Sequence, residues 1–558
     1  MEPIRISART RASCRAAYAR HDVGLPAGLA WLSMCMSTPD PAFLYVYLFD
    51  PDNRLRLQWL CKAGEEAVCV VSDPVLFDIA SAHVQCRGLS PASAQSGHGA
   101  ARRRDPWVTQ SCGAVGGVLP AGTWRLEVLS YAAASHAIGV LYEVSLEGGS
   151  AGDVTATLAR GSAERPWIDE ASETAPDSRV VRTVQDFASR GAAAASSAAL
   201  AYDAYDWTRT TGRSTGLGWY RGDLHMHTLL SDGQQTAPAL HALASARRLD
   251  FIVITEHNLW TTAWVQDDVL ILPGVEITSS RGHFNVIGVR RFLDLIGEEV
   301  EPRLETQTGI TGLLSEARAQ GALCSLNHPL LRPWHWEWDQ TDIDQFDLIE
   351  LWNDPTFPTN PKATERALQL FDLLWQDGHA IWGVGGSDTH MLPGDSYTPG
   401  GPPSIVGDPT TFVRAQMCSP AGLLEGLALG CVYVSRSPLL DFVIQVGDSE
   451  IVPGRCTGVE ENITYEVLVH ACTRVEVQWL VDGRITSVQK VERQGRAACS
   501  LHWGDGLAHW CRVEVRSEAG ELLAFVNPIY NWLPESRMHR WGEFVTALDT
   551  KDEEETGP

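Results

Sequence analysis

Along these 558 residues the spacing of apolar side chains changes twice, and that change limits what the chain can fold into. Up to about residue 190 apolar positions recur every second residue, as in FLYVYLFDPDNRLRLQWL, whose alternating runs flank a turn-forming segment from Asp50 to Asn53. A period of two sends successive side chains to opposite faces, so this part reads as an antiparallel β domain with a hairpin at that turn. From about residue 216 short apolar runs instead follow helical or loop stretches: LDFIVITEHN after APALHALASARR, then GALCSLNHP, FDLIELWND and HAIWGVGGSDTH. Strand and helix in alternation argue for parallel βα units, and about seven of them for a barrel. The period of two returns in ITYEVLVHACTRVEVQWLVDGRITSVQKV, where an Asp482-Gly483 turn and β-branched and aromatic residues predict a β-sandwich.

A single hydrophobic core stops growing near ~250 to 300 residues, so a chain this long needs several domains. The expected division is an N-terminal β domain over 1–190, an Ala-rich linker over 191–215, a barrel over 216–438, a β-sandwich over 439–540 and an acidic tail over 541–558, whose last residues, KDEEETGP, read as disordered. With 44% apolar and 20% charged residues, and no apolar window of the ~18 residues that would span a bilayer, a soluble protein with no membrane partner is expected. Thirteen cysteines without a C-x-x-C pair read as reduced thiols, which predicts a cytoplasmic protein. The start, MEPIRISARTRASCRAAYAR, has the arginine-rich, acid-poor composition of an organelle transit peptide but no apolar core of a secretory signal. A formal charge of −25 repels nucleic acid and anionic membranes, so a small-molecule partner is expected, and an anionic one needs a local positive site.

The central block ends its apolar runs in ligand chemistry. His225 and His227 stand one residue apart in DLHMH, so on a strand both imidazoles face one side. Asp232 follows in an SDG turn, His257 ends FIVITEH, Glu276 ends ILPGVE and His283 opens HFNVIG. His328 ends ALCSLNH, and Asp388 and His390 end VGGSDTH. Taken singly, each reads more readily as a hydrogen-bonded structural residue than as a ligand. Together they gather at the carboxyl rim of a barrel, and six imidazoles with three carboxylates suit zinc, manganese or iron better than calcium.

On these residues the block resembles the polymerase-and-histidinol-phosphatase (PHP) superfamily. Its signature motifs stand here as His225-Met226-His227, Glu256-His257, His328 and Asp388-Thr389-His390, with Glu276 and His283 between them. The phrases GWYRGDLHMHT, SDG, NHP and FDLIELWN are closer to its subgroup of CehA/McbA-type metallo-hydrolases. The resemblance covers about residues 215 to 440 and implies an α/β fold class: a distorted (βα)7 barrel, flanked here by the N-terminal β domain and the C-terminal β-sandwich. It also implies two or three divalent ions (Zn, Mn or Fe). One would be held by His225, His227, Glu276 and Asp388; Glu276 would bridge to a second, completed by His283 and His328; Asp232, His257 and His390 would hold a third. The usual Thr-Asp-His of the second motif is Thr255-Glu256-His257, which keeps the ligand and lengthens the neighbouring acid.

Water bridging such ions loses a proton near pH ~7 and becomes a nucleophile. Three dications, three carboxylates and a hydroxide leave a pocket of about +2, which favours a phosphomonoester or phosphodiester. The expected function is therefore a metal-dependent hydrolase of a small phosphate ester. Carboxylic or carbamate ester hydrolysis on the same site is an alternative, since an activity on aryl carbamates is known in the subgroup. A non-catalytic carbohydrate- or scaffold-binding protein is another, opposed by the complete ligand set, and a nuclease lacks a basic track for a polymer. Asp232, His257 and His390 are the candidate catalytic proton donors, with Glu256 an outsider. Asp223 would either orient a ligand imidazole or cap a strand. Arg332, Trp334 and Asn353 are candidate substrate-binding residues, while Trp334, Trp336 and Trp338 read equally as an aromatic substrate face or as anchors for the barrel.

Overall fold

The structure, a computed structural model, describes residues 4–9, 16–29, 31–38, 42–52, 54–62, 66–72, 119–132, 141–149, 205–211, 216–261, 268–297, 302–458, 462–471 and 473–555. Apart from 205–211, the expected linker lies outside them. The chain divides into two units: Met1–Tyr205 with Leu259–Ala263 and Ile296–Pro302, and the remainder.

The first unit is built from β1 (Ile4–Arg9), β2 (Ala16–Leu25), β3 (Trp31–Ser37), β4 (Ala42–Phe49), β5 (Leu55–Lys62), β6 (Glu66–Ser72), β7 (Gly122–Ala132) and β8 (Leu141–Gly149). They form two antiparallel four-stranded sheets, ordered β1-β8-β3-β6 and β2-β7-β4-β5. The hairpin between β4 and β5 turns where the Asp50 carboxylate accepts from the backbone of Asp52 and Arg54, both at 3.0 Å. Much of the arginine-rich start is thus strand.

In the second unit, β9 (Gly218–Asp223), β10 (Phe251–Ile254), β11 (Leu270–Ser279), β12 (Gly282–Ile287), β13 (Leu323–Leu326), β14 (Leu348–Asn353) and β15 (Trp382–Gly386) lie side by side in chain order. The residues just beyond the first and last of them meet in a parallel bridge between Met226 and Thr389, where Asp388 N donates to His225 O at 2.8 Å and His227 N to Thr389 O at 3.2 Å. The seven strands therefore curve until their two ends touch at the carboxyl rim.

Two features depart from uniform βα repetition. β12 runs antiparallel to both β11 and β13, because a tight turn at Ser280 and Arg281 returns the chain at Gly282, whose φ is +123°. A Cβ there would lie 2.7 Å from the Trp336 ring, so the turn requires glycine. Among the described residues, α-helices occupy three of the connections: α1 (Ala237–Ala246), α2 (Gln307–Ala319) and α3 (Asn360–Gln376). Thr236 and Thr306 cap the first two by accepting from Ala239 N and Gly309 N.

β16 (Thr410–Ala415) pairs with the outer edge of β9, then α4 (Pro420–Ala428) leads to β17 (Val432–Ser435). Next come β18 (Leu439–Val446), β19 (Ser449–Ile451), β20 (Asn462–His470), β21 (Val475–Val481), β22 (Arg484–Val491), β23 (Gly495–His502), β24 (Trp510–Ser517) and β25 (Leu522–Tyr530). The sheet β19-β18-β20-β23 shares a core of Ile444, Tyr465, Val477, Trp479, Val513 and Val526 with β25-β24-β21-β22. That second sheet is continuous with strands β9 to β15, because β17 pairs with β25 and β16, and β16 pairs with β9.

The acidic tail expected from residue 541 forms α5 (Trp541–Glu555), which takes in the first five residues of the stretch expected to be disordered; 556–558 lie outside the described residues. Glu543 and Asp549 are exposed while Trp541, Phe544 and Leu548 form a buried stripe, and Trp541 Nε1 donates to Trp336 O at 3.0 Å. Among the described residues no helix is long and apolar enough to cross a membrane.

Candidate metal centre

All nine candidate ligands come together at the rim of the curved strands. Their nitrogen and oxygen atoms form four overlapping groups, each within 4.8 Å: His227, Asp232, His257 and His390; His225, Glu276 and His328; His225, His227 and Asp388; His257, Glu276 and His283. The first group adds His227 to the Asp232, His257 and His390 set that the resemblance implies, and the third holds His225, His227 and Asp388 of another without its Glu276. The others differ from it, since His283 and His328 meet Glu276 with different partners.

Strand geometry explains the convergence. In the β11–β12 hairpin Thr278 lies opposite His283 and Glu276 opposite Asn285, so all four face one side. Glu276 Oε1 consequently stands 3.2 Å from His283 Nδ1 and 3.4 Å from His225 Nε2, while Oε2 stands 2.7 Å from His257 Nδ1 and 3.5 Å from His227 Nε2. Asp388 Oδ1 lies 3.3 Å from His225 Nε2 and 3.1 Å from His227 Nε2. Asp232 Oδ1 lies 3.1 Å from His390 Nε2 and 3.4 Å from His257 Nε2. His328 and Asp388 have φ of 28° and 44°, a backbone region that residues with a side chain rarely adopt.

The electrostatics are those of a site for cations. Burial works to protonate the Glu276, Asp388 and Asp232 carboxyls, but the surrounding imidazoles outweigh it and hold all three below their ordinary values. Burial works against charge on His390 as well, yet Asp232 holds its pKa up to about 10. His227, buried and facing His390 and His257, is pushed down to about 3. Without a cation the carboxylates can be balanced only by protonated imidazoles. His225 Nε2, Glu276 Oε2 and Asp388 Oδ1 are moreover buried without a hydrogen bond of acceptable geometry. Buried polar atoms carry partners with few exceptions, and divalent ions at these positions would supply them. The donor set fits such ions.

Several surrounding residues were not legible as site residues. Glu350, at 3% exposure, places Oε1 3.0 Å from His225 Nδ1 and accepts at Oε2 from His328 N and from Asn353 Nδ2. Asn327 Nδ2 donates to Glu276 Oε1 at 2.9 Å, and Thr278 Oγ1 lies 2.7 Å from His257 Nδ1. Asp223 takes the capping alternative, accepting from the backbone of His225, Ser387 and Gly407. Glu256 is buried behind Asp232 and holds the turn through Thr228 and Ser231.

The substrate candidates separate. Trp336 and Trp338 are buried, with Trp338 Nε1 donating to Ser279 Oγ, so they belong to the core. Trp334 is exposed and packs edge-on against Phe357, which packs in turn on Tyr397, whose hydroxyl donates to Asp354. Asn353 is buried and spends its side chain on Glu350, Asp388 and Asn360, while Arg332 is exposed.

No protein-family model matches the chain, and no curated protein matches it. Three solved structures resemble parts of it. A two-domain protein from Bacteroides vulgatus, assigned as containing a PHP-like metal-dependent phosphoesterase, is 18% identical over 56% of this chain and 96% of its own, with a TM-score of 0.32. A protein from Bifidobacterium adolescentis assigned as a metal-dependent phosphoesterase is 15% identical over 37% of this chain and 95% of its own, at a TM-score of 0.22. An amidohydrolase from Chromobacterium violaceum, solved with bound sulfate and no metal, is 15% identical over 33% of this chain and 93% of its own, at 0.19.

Proposed function

We propose that this protein is a metal-dependent hydrolase of a small anionic ester, a phosphomonoester or phosphodiester. The observation that supports the reading is the set of nine buried or half-buried candidate ligands whose donor atoms cluster in four overlapping groups, each within 4.8 Å, six of them with a buried nitrogen or oxygen left without a hydrogen bond. His225, His227, Glu276 and Asp388 would hold one ion, and Glu276 with His283 and His328 a second. Asp232, His257 and His390 complete the set. Divalent ions supply Lewis acidity to the ester oxygen and acidify water toward neutrality.

The chain's own groups do the rest. Asp232 and His390 are the most open of the nine, with side chains 33% and 27% exposed, so the ester reaches the site from their side. Hydrolysis adds water oxygen to phosphorus, breaks the ester P–O bond and leaves an oxygen that must take a proton. His390 Nε2, kept charged by Asp232, supplies that proton when its group carries no ion. Arg332 offers a cation to a phosphate from the rim.

A second reading, a carboxylic or carbamate ester, draws support from the aromatic row of Trp334, Phe357 and Tyr397, which suits an apolar acyl or leaving group. Turnover of p-nitrophenyl phosphate, bis-p-nitrophenyl phosphate and a naphthyl carbamate by zinc- or manganese-loaded protein decides between them. His225→Ala and Glu276→Ala are each expected to lower metal content and cut turnover by at least about a hundredfold, and chelation should abolish it. Full activity in either variant would refute the assignment.

A further inference from the structure

Metal-site imidazoles need one ring nitrogen free and the other held, and the structure shows which group holds His225. We infer that Glu350 is a positioning residue for the metal centre, one carboxylate fixing three of its candidate ligands at once. This rests on the metal reading above. Oε1 faces His225 Nδ1 at 3.0 Å, which turns Nε2 toward Glu276 and Asp388. Oε2 accepts from His328 N at 3.0 Å, pinning the backbone at the turn where that residue takes its positive φ. The same oxygen accepts from Asn353 Nδ2 at 3.1 Å, and Asn353 Nδ2 also lies 3.2 Å from Asp388 Oδ2.

The carboxylate has little room to do anything else. It is buried within β14, and Gly386 leaves space for it: a Cβ at that position would stand 2.9 Å from Glu350 Oε1 and 2.5 Å from His225 Cβ. Each oxygen is committed to donors that belong to, or hold, a ligand. A carboxylate in this position fixes the imidazole tautomer and raises its basicity toward a cation, and losing such a partner costs about 10- to 100-fold in affinity.

The test is zinc binding by the full-length protein, measured as competition with a chromophoric chelator on metal-stripped protein. Glu350→Gln keeps the size but turns an amide N–H toward donors, and its zinc dissociation constant is expected to rise by about 10- to 100-fold. Its melting midpoint in excess chelator should stay at the wild-type value, which separates positioning from general stability. Equal zinc affinity in the two proteins overturns the inference alone; a wild type that binds no zinc overturns the metal reading with it. If Glu350→Gln does not fold, the His225 tautomer in zinc-loaded wild type decides, read by nitrogen-15 correlation after histidine-selective labelling. A proton on Nδ1 upholds the inference and one on Nε2 sinks it.

Discussion

Gly386 shows how closely the residues of the centre are fitted. An added methyl would meet His225 Cβ at 2.5 Å and Glu350 Oε1 at 2.9 Å, and neither neighbour is the free end of a flexible side chain. Gly386→Ala should therefore fold with the His225 imidazole displaced, and lose about 1–3 kcal/mol of stability from overpacking. Urea unfolding would measure that loss, and metal content at or near zero would accompany it. The nine candidate ligands were legible because all but Asp232, which sits in a turn, close or open an apolar run, where a polar residue stands out. Glu350 and Asn327 were not, since LIELWN and SLNHP read as ordinary strand ends and the carboxylate's role depends on a neighbour 125 positions away. Asp223 drew the orienting role as one of two options because spacing put it on the same face as His225; the structure gives it three backbone donors instead.

Helix α3 and strand β24 are joined by Arg512, fully buried, between Asp372 and Glu514, with Arg516 linking Glu514 to Glu365. Burial works to raise the Glu514 carboxyl, but Arg512 and Arg516 outweigh it and hold it below its ordinary 4.5. Across the same guanidinium, burial outweighs Arg512 at Asp372 and holds that carboxyl up. A carboxyl lowered on folding adds stability that is fully present above its unfolded pKa and disappears as the pH falls through its folded value. Glu514→Gln should thus destabilise most at neutral pH, with the gap to wild type closing below about pH 4. Melting curves across that range would check it, and a gap that stays constant with pH would contradict the assignment. Element types were legible from periodicity, but the reversal of β12 was not, because HFNVIG reads alike in either direction and only the glycine turn sets it. Helix α5 was missed for a related reason: acidic composition masks a buried stripe of one tryptophan, one phenylalanine and one leucine.

At the scale of the molecule, a chain with a formal charge of −25 gathers six of its 17 imidazoles, with three carboxylates, at one rim. Length and periodicity predict a barrel over 216–438 and a β-sandwich over 439–540 as distinct domains. In the structure the two are joined, since β17 hydrogen-bonds β25 and Asn527 exchanges hydrogen bonds with Gly383 of β15, three residues before Gly386. A chain stopped after residue 438 would leave β17 as a bare edge and strip Gly383 of its clamp. We expect such a fragment to pellet on sedimentation, whereas a soluble fragment with full zinc content would show the clamp to be dispensable. If that fragment pellets, the strands of the rim are not a transferable cassette: recombination that swaps them between proteins must carry the terminal sheets along, or supply another surface to zip against.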